Sequence, residues 1–265
     1  MLLKEYRICM PFSVEEYRIG QLYMIARHSA EESKGEGDGV EVVVNEPCQD
    51  EQHGDGRYTE KRIYLTSRLP GWVQSMIPRV FYITEKAWNY YPVTITEYTC
   101  SFLPKFLIQI DSTYINDNGK THNALNYSDE MLSQRDVVAV DIATEDPSNS
   151  EYKPEQDCTK FKSSKTGRGP LDEGWKDRTE PIMCSYKAVK VFFEVWGMQT
   201  KVESAVHKAI LDIIIKGHKQ AFLWMDEWYG MTIDDVRNLN RNCMKRPTTK
   251  YWKDWKYQNH QNPQT

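Results

Sequence analysis

The sequence predicts an α+β fold in which a large, curved, mostly antiparallel sheet is crossed by long helices. Strand-like segments follow one another through residues 40–143 with few crossover helices between them, which favours antiparallel neighbours. Capping patterns mark helix starts near the two ends of the chain, at Ser13 and Thr232. A chain of 265 residues, 40% hydrophobic and 12% aromatic, can bury a sizeable core in one large domain and still enclose a ligand cavity.

Residues 2–9 read as a first strand. The capping box Ser13-Val-Glu-Glu16 starts a helix from Val14 to about His28. Residues 31–39 are charged and Gly-rich, hence a loop; 40–44 form a strand and 47–56 a polar turn region. Strands are expected at 58–65, 80–89, 91–99, 105–114 and 137–143, with a turn at 116–120. Residues 147–181 are polar and rich in Gly and Pro, and 183–196 form the longest strand candidate. A long helix fills 200–228, and Thr232-Ile-Asp-Asp235 caps the last one. The domain is expected to span residues 1–245, with a polar, aromatic-interleaved and disordered tail over 246–265.

Charge and motifs exclude several functions. A formal net charge of −4 offers no basic surplus for nucleic acid, so membrane contact must be local. The six cysteines form no CxxC pair and no zinc spacing, which suggests reduced, buried thiols in a cytoplasmic chain. Lys4, Glu5 and Arg7 interrupt any signal-peptide run, and the apolar stretch 209–215 contains Asp212 and is too short to span a bilayer. No GxSxG, HExxH or paired metal motif is visible, so no enzyme, metal or cofactor is expected. His207 and His218 lie on the long helix and read as structural.

Side chains alternate across a strand, and several strands carry polar residues on an otherwise apolar face. Along 183–196, Lys187 is the only charge among Met183, Val189, Val191 and Phe193. Thr59 and Lys61 share a face with Ile63; Glu85 and Asn89 share one with Ile83 and Ala87; Thr96 lies with Thr94 and Tyr98. A lone charge among apolar groups is costly unless paired. These residues could satisfy one another, or they could form the polar end of a ligand cavity. Two ammonium groups suit a phosphate, while Glu85, Asn89 and the threonines suit sugar-like hydroxyls.

An amphiphile with a phosphorylated head and greasy tails fits both halves. Lifting a diacyl lipid from a bilayer exposes roughly 30 methylenes, on the order of 25 kcal/mol at ~0.8 kcal/mol each. A shallow groove cannot offset that, so a carrier must sequester both chains. Apolar strand faces and the helix residues Val202, Val206, Ile210, Ile213 and Ile214 supply surface for it.

The segments LLKEYRICMPFSVEEYRIGQLYMIA, GRYTEKRIYL, EKAWNYYP, FKSSKTGRGPL and MCSYKAVKVFFEVWGMQTKVE resemble the phosphatidylinositol transfer protein family in order and spacing over about residues 1–240. CMPF, TEYTCSFLPKF and DEWYGMT are similar to its cytoplasmic, single-domain retinal degeneration B beta branch. The resemblance implies a START-like α+β fold enclosing one phospholipid. It implies that Thr59, Lys61, Glu85, Asn89, Thr96 and Lys187 line the inositol phosphate pocket, with Gln21 near the phosphate. It implies phosphatidylinositol and phosphatidic acid as cargo, a transient membrane surface and protein adaptors as partners, and a monomer.

The chain departs from the family pattern in places. The family's membrane-docking tryptophan pair appears as Val195-Trp196, with Trp72 a further docking candidate. Asn240 stands where the final helix usually carries a glutamate, and Thr94 where phosphatidylcholine carriers have a cysteine. Ser163, in the basic hydroxyl-rich loop 162–168, is the candidate phosphorylation site. The resemblance leads to a lipid transfer protein, with a lipid-loaded adaptor or sensor as the alternative.

Overall fold

A computed structural model describes residues 2–32, 39–64, 82–148, 153–193 and 199–244. The strands are β1 (Leu2–Met10), β2 (Gly39–Asp50), β3 (Gly54–Tyr64), β4 (Ile83–Tyr90), β5 (Val93–Cys100), β6 (Leu103–Ile115), β7 (Asp136–Val140) and β8 (Met183–Phe193). The helices are α1 (Val14–Glu32), α2 (Asp129–Gln134), α3 (Gln199–Leu223), α4 (Met225–Trp228) and α5 (Ile233–Met244). The strands make one eight-stranded sheet in the order β2-β3-β4-β5-β6-β8-β1-β7. Every pairing is antiparallel except that of β7, which runs parallel to β1 with Tyr6 opposite Val138.

Local chemistry explains the element ends. At the start of α1 the Glu16 amide donates to Ser13 Oγ (3.2 Å), and the Ser13 amide donates to Glu16 Oε2 (2.8 Å). This is the expected capping box. Asp235 and Thr232 repeat the exchange at the start of α5, at 3.2 and 2.8 Å. The predicted long helix over 200–228 is two helices, because the chain turns at Trp224 between α3 and α4.

Two strand expectations need correction. Residues 47–56 are not a turn region: β2 continues through Pro47 to Asp50, and Glu51–His53 alone reverse the chain. The Pro47 position is tolerated because β2 is the edge strand. The strand expected at 137–143 ends at Val140, and a turn pinned by the Glu145 amide on the Asp141 carbonyl (2.9 Å) follows.

The core lies where β1 and β8 meet α1, α3 and α4. Tyr6, Ile8, Met10, Phe12, Tyr17, Val189, Phe222 and Trp228 are all buried. Phe12 meets Trp228 edge-on at 5.1 Å. A Cβ on Gly20 would fall 2.9 Å from the Trp228 ring, so only glycine lets α1 approach that closely. The opposite face of β1 is also closed: Glu5 is fully buried and paired with Arg7 (2.8 Å) and Arg135 (2.7 Å). No helix among the described residues is long and apolar enough to cross a membrane.

Candidate functional site

Strand register places the expected polar residues on one face of the sheet. Lys61 stands opposite Glu85, Glu85 opposite Tyr98, Tyr98 opposite Ile108, and Ile108 opposite Val191. The next row runs Thr59, Ala87, Thr96, Ile110, Val189. A third runs Asn89, Thr94, Ser112, Lys187, Tyr6. The face is polar on β3, β4 and β5 and apolar on most of β6 and β8. Helix α3 packs over the apolar half, where Ile108, Val189, Val191 and Ile214 join one buried cluster with Ile110, Val206 and Ile210 against it. Ile213, expected on that apolar stripe, is 70% exposed and turns away from it.

The polar half splits into two centres. In one, Lys61 Nζ sits 2.8 Å from Glu85 Oε1, with the side chains 22% and 14% exposed. Burial and then the Glu85 charge push the Tyr98 phenol well above its ordinary range, so it stays a donor toward Glu85. Asn89 Oδ1 accepts from the Tyr91 amide at 3.1 Å. The other centre surrounds Lys187. Its Nζ is 3.3 Å from Ser112 Oγ and 5.4 Å from the centre of the Tyr114 ring. Gln21 Nε2 donates to the Tyr114 hydroxyl at 2.7 Å, which brings α1 into this centre.

The two ammonium groups have separate neighbours in the structure, Glu85 for Lys61 and Ser112 for Lys187. Their strands are four apart, roughly 19 Å across a sheet with ~4.8 Å spacing. Lys61 is matched by a carboxylate, while Lys187 faces neutral hydroxyls and a ring. The arrangement suits an elongated polar head: an anion at Lys187 and Gln21, and hydroxyl groups at Lys61, Glu85, Asn89, Thr59 and Thr96.

Ser112 and Tyr114 are site residues the sequence reading passes over. The signal was present, since alternation along β6 puts both with Phe106, Ile108 and Ile110. Ser163 is brought elsewhere. It is 2% exposed, and its hydroxyl donates to Asp226, which also accepts from the Ser164 hydroxyl (2.8 Å) and amide (2.8 Å). Burial opposes the charge, but the hydrogen bonds from Ser163, Ser164 and Lys165 outweigh it and hold the Asp226 carboxyl well below the usual carboxylate range. The Ser163 hydroxyl is thus turned inward and bonded to Asp226. Trp72, Val195 and Trp196 lie outside the described residues, as does the tail from Arg246.

A cavity of about 210 Å³ lies between β1, β7 and α3, lined by Leu2, Lys4, Tyr6, Val138, His207 and Leu211 among others. None of the seven headgroup candidates lines it. His207 is structural there: Nδ1 is 3.2 Å from the Tyr6 hydroxyl and Nε2 is 3.1 Å from the Leu2 carbonyl. Burial lowers its pKa and raises that of Tyr6 to about 12. Among the described residues Cys9, Cys48, Cys100, Cys158 and Cys184 are free thiols, and no group of three or more His, Cys, Asp and Glu could hold a metal.

Known proteins are similar to this chain over most of its length. The family model for phosphatidylinositol transfer protein matches residues 1–245. "Cytoplasmic phosphatidylinositol transfer protein 1" of Drosophila melanogaster is 58% identical over 241 residues, covering 91% of this chain and 88% of that protein. The Homo sapiens protein of the same name is 57% identical, covering 91% and 72%. "Protein retinal degeneration B" of Drosophila melanogaster is 45% identical, covering 91% of this chain and 20% of that much longer protein. A family model matched over residues 1–245, together with identity at this level over nine-tenths of the chain, shows that the chain belongs to the phosphatidylinositol transfer protein family.

Proposed function

We propose that this chain encloses one phosphatidylinositol, or one phosphatidic acid, and carries it between membranes through the cytoplasm without changing it covalently. One observation carries the reading: a single sheet face passes without interruption from a polar band to an apolar slab covered by α3. Its polar half matches a phosphorylated, hydroxyl-rich head, and its apolar half matches acyl chains. Lys187, Gln21 and Ser112 take the phosphate, while Lys61, Glu85, Asn89, Thr59 and Thr96 orient the inositol ring. The phospholipid is cargo and not a cofactor. Trp196, Val195 and Trp72 are proposed to meet the membrane, with the chain acting as a monomer.

Native mass spectrometry of protein purified from cells, followed by lipid extraction, tests this. One phospholipid per chain, enriched in phosphatidylinositol or phosphatidic acid, is the expected result. A stably folded chain that retains no lipid and moves none between vesicles overturns it. Tight lipid binding with no transfer between vesicles points instead to an adaptor that presents its lipid to a partner.

A further inference from the structure

Three buried polar atoms around Lys187 have no hydrogen-bond partner among the described residues: Thr94 Oγ1, Ser185 Oγ and His218 Nε2. Register and ring contacts place them around one centre. Thr94 and Lys187 both stand opposite Ser112, and Ser185 stands opposite Tyr114. His218, on α3, stacks on Tyr17 at 5.8 Å, and Tyr17 meets Tyr114 edge-on at 5.2 Å. His218 is 3% exposed. Its Nδ1 lies 2.7 Å from the Ile214 carbonyl, an oxygen that can only accept, so Nδ1 carries the proton. Burial, and then the nearby Lys187 charge, lower the imidazole pKa to about 3, which keeps the ring neutral. Nε2 is therefore a buried lone-pair acceptor near an ammonium, and it calls for a donor from outside the chain.

We propose that His218 is a headgroup-contact residue whose Nε2 accepts a hydrogen bond from the P–OH of a phosphomonoester, giving the site a hydrogen bond to the phosphate of phosphatidic acid that the phosphodiester group of phosphatidylinositol has no proton to make. The inference rests on the lipid-carrier reading above and names a specificity determinant within that site. A phosphomonoester sheds its second proton at about pH 6 in water. Burial opposes the second negative charge, just as it opposes charge on the imidazole. The bound group is thus a monoanion with one P–OH: its charged oxygens face Lys187, and its hydroxyl donates to Nε2. The phosphodiester of phosphatidylinositol carries one charge and no acidic proton, so it satisfies Lys187 and leaves Nε2 as it was.

The test uses the full chain loaded from vesicles that contain equal amounts of phosphatidylinositol and phosphatidic acid, read by native mass spectrometry. His218→Asn keeps an amide near the Nδ1 position and removes Nε2. The bound phosphatidic acid to phosphatidylinositol ratio is expected to fall on the order of tenfold, the worth of one hydrogen bond to a charged group. An unchanged ratio in the folded variant overturns the proposal. Should the variant fail to fold, wild-type protein labelled with ¹⁵N-histidine answers the same question. Loading with phosphatidic acid is expected to move the His218 Nε2 resonance, and loading with phosphatidylinositol is not. No shift with phosphatidic acid, or an equal shift with both lipids, overturns the assignment. An equal shift with inorganic phosphate alone overturns it in favour of a free-anion site. Protein that takes up neither lipid refutes the carrier reading instead, a result distinct from all of these.

Discussion

Replacing Lys61 with methionine leaves Glu85 without its partner, in a place where its side chain is only 14% exposed. Breaking one side of a fully buried pair costs about 3–5 kcal/mol, because a charge is stranded away from water. Both side chains here keep some contact with solvent, so the expected loss is roughly 1–3 kcal/mol. For a domain of this size, about 2 kcal/mol moves Tm by roughly 4–8 °C. The double variant Lys61→Met, Glu85→Gln strands no carboxylate and is expected to regain most of that stability. Transfer separates the stability effect from the binding effect. Both variants lack the Lys61 ammonium assigned to the inositol hydroxyls, so phosphatidylinositol movement between vesicles is expected to drop about tenfold or more in each. Thermal unfolding followed by circular dichroism, with a labelled-lipid transfer assay beside it, measures both. A double variant that transfers phosphatidylinositol at the wild-type rate refutes the headgroup role. A single variant as stable as wild type refutes the closed ion pair.

Lys187→Met removes the ammonium of the second centre, and native mass spectrometry is expected to show lipid occupancy falling about tenfold or more. Gly20→Ala drives a methyl group to 2.9 Å from the Trp228 ring and is expected to cost about 1–3 kcal/mol in urea unfolding, since neither helix can give way freely. Asp226→Asn weakens the bonds that hold Ser163 inward, so phosphate incorporation at Ser163 by an added kinase is expected to rise about fivefold. The Asp226 carboxyl is depressed in the fold, so its contribution is complete above the ordinary value of about 3.9 and fades as pH falls through the lower, folded value. Amide exchange at Ser164 and Lys165 is therefore expected to be protected at neutral pH and to lose that protection only in strong acid, once intrinsic rates are allowed for.

What could be read from the sequence depended on how local the cause was. The caps at Ser13 and Thr232 are four-residue signals, and both form as expected. Alternation is nearly as local, and it assigned Thr59, Lys61, Glu85, Asn89, Thr96 and Lys187 to the one face that register confirms. Pairing across the sheet is not local. No pattern within β3 or β8 shows that four strand spacings separate the strands of Lys61 and Lys187. Nor does composition around Ser163 reveal Asp226, sixty-three residues away in sequence. His218 looked like ordinary helix filling because only the tertiary structure shows which of its nitrogens is already bonded.

The way the chain pairs its own polar groups bears on release as well as capture. Both ammonium groups of the band have partners within the chain, Lys61 the Glu85 carboxylate at 2.8 Å and Lys187 the neutral Ser112 hydroxyl at 3.3 Å. A headgroup must therefore exchange partners with Glu85 and Ser112, and each exchange is worth far less than a hydrogen bond made from nothing. The unmatched atoms, at Thr94, Ser185 and His218, are neutral, and each leaves about 1–3 kcal/mol to be recovered by a suitable ligand. Affinity for the head is thereby kept moderate, while discrimination between heads is concentrated in a few neutral acceptors and donors. In the proposed reading the tails, on the order of 25 kcal/mol of buried methylene by transfer estimates, rest on an apolar slab that offers no preference for either membrane. Such a division suits a carrier. The greasy half prevents loss to water in transit, and the self-paired polar half lets the head leave once a bilayer accepts the tails.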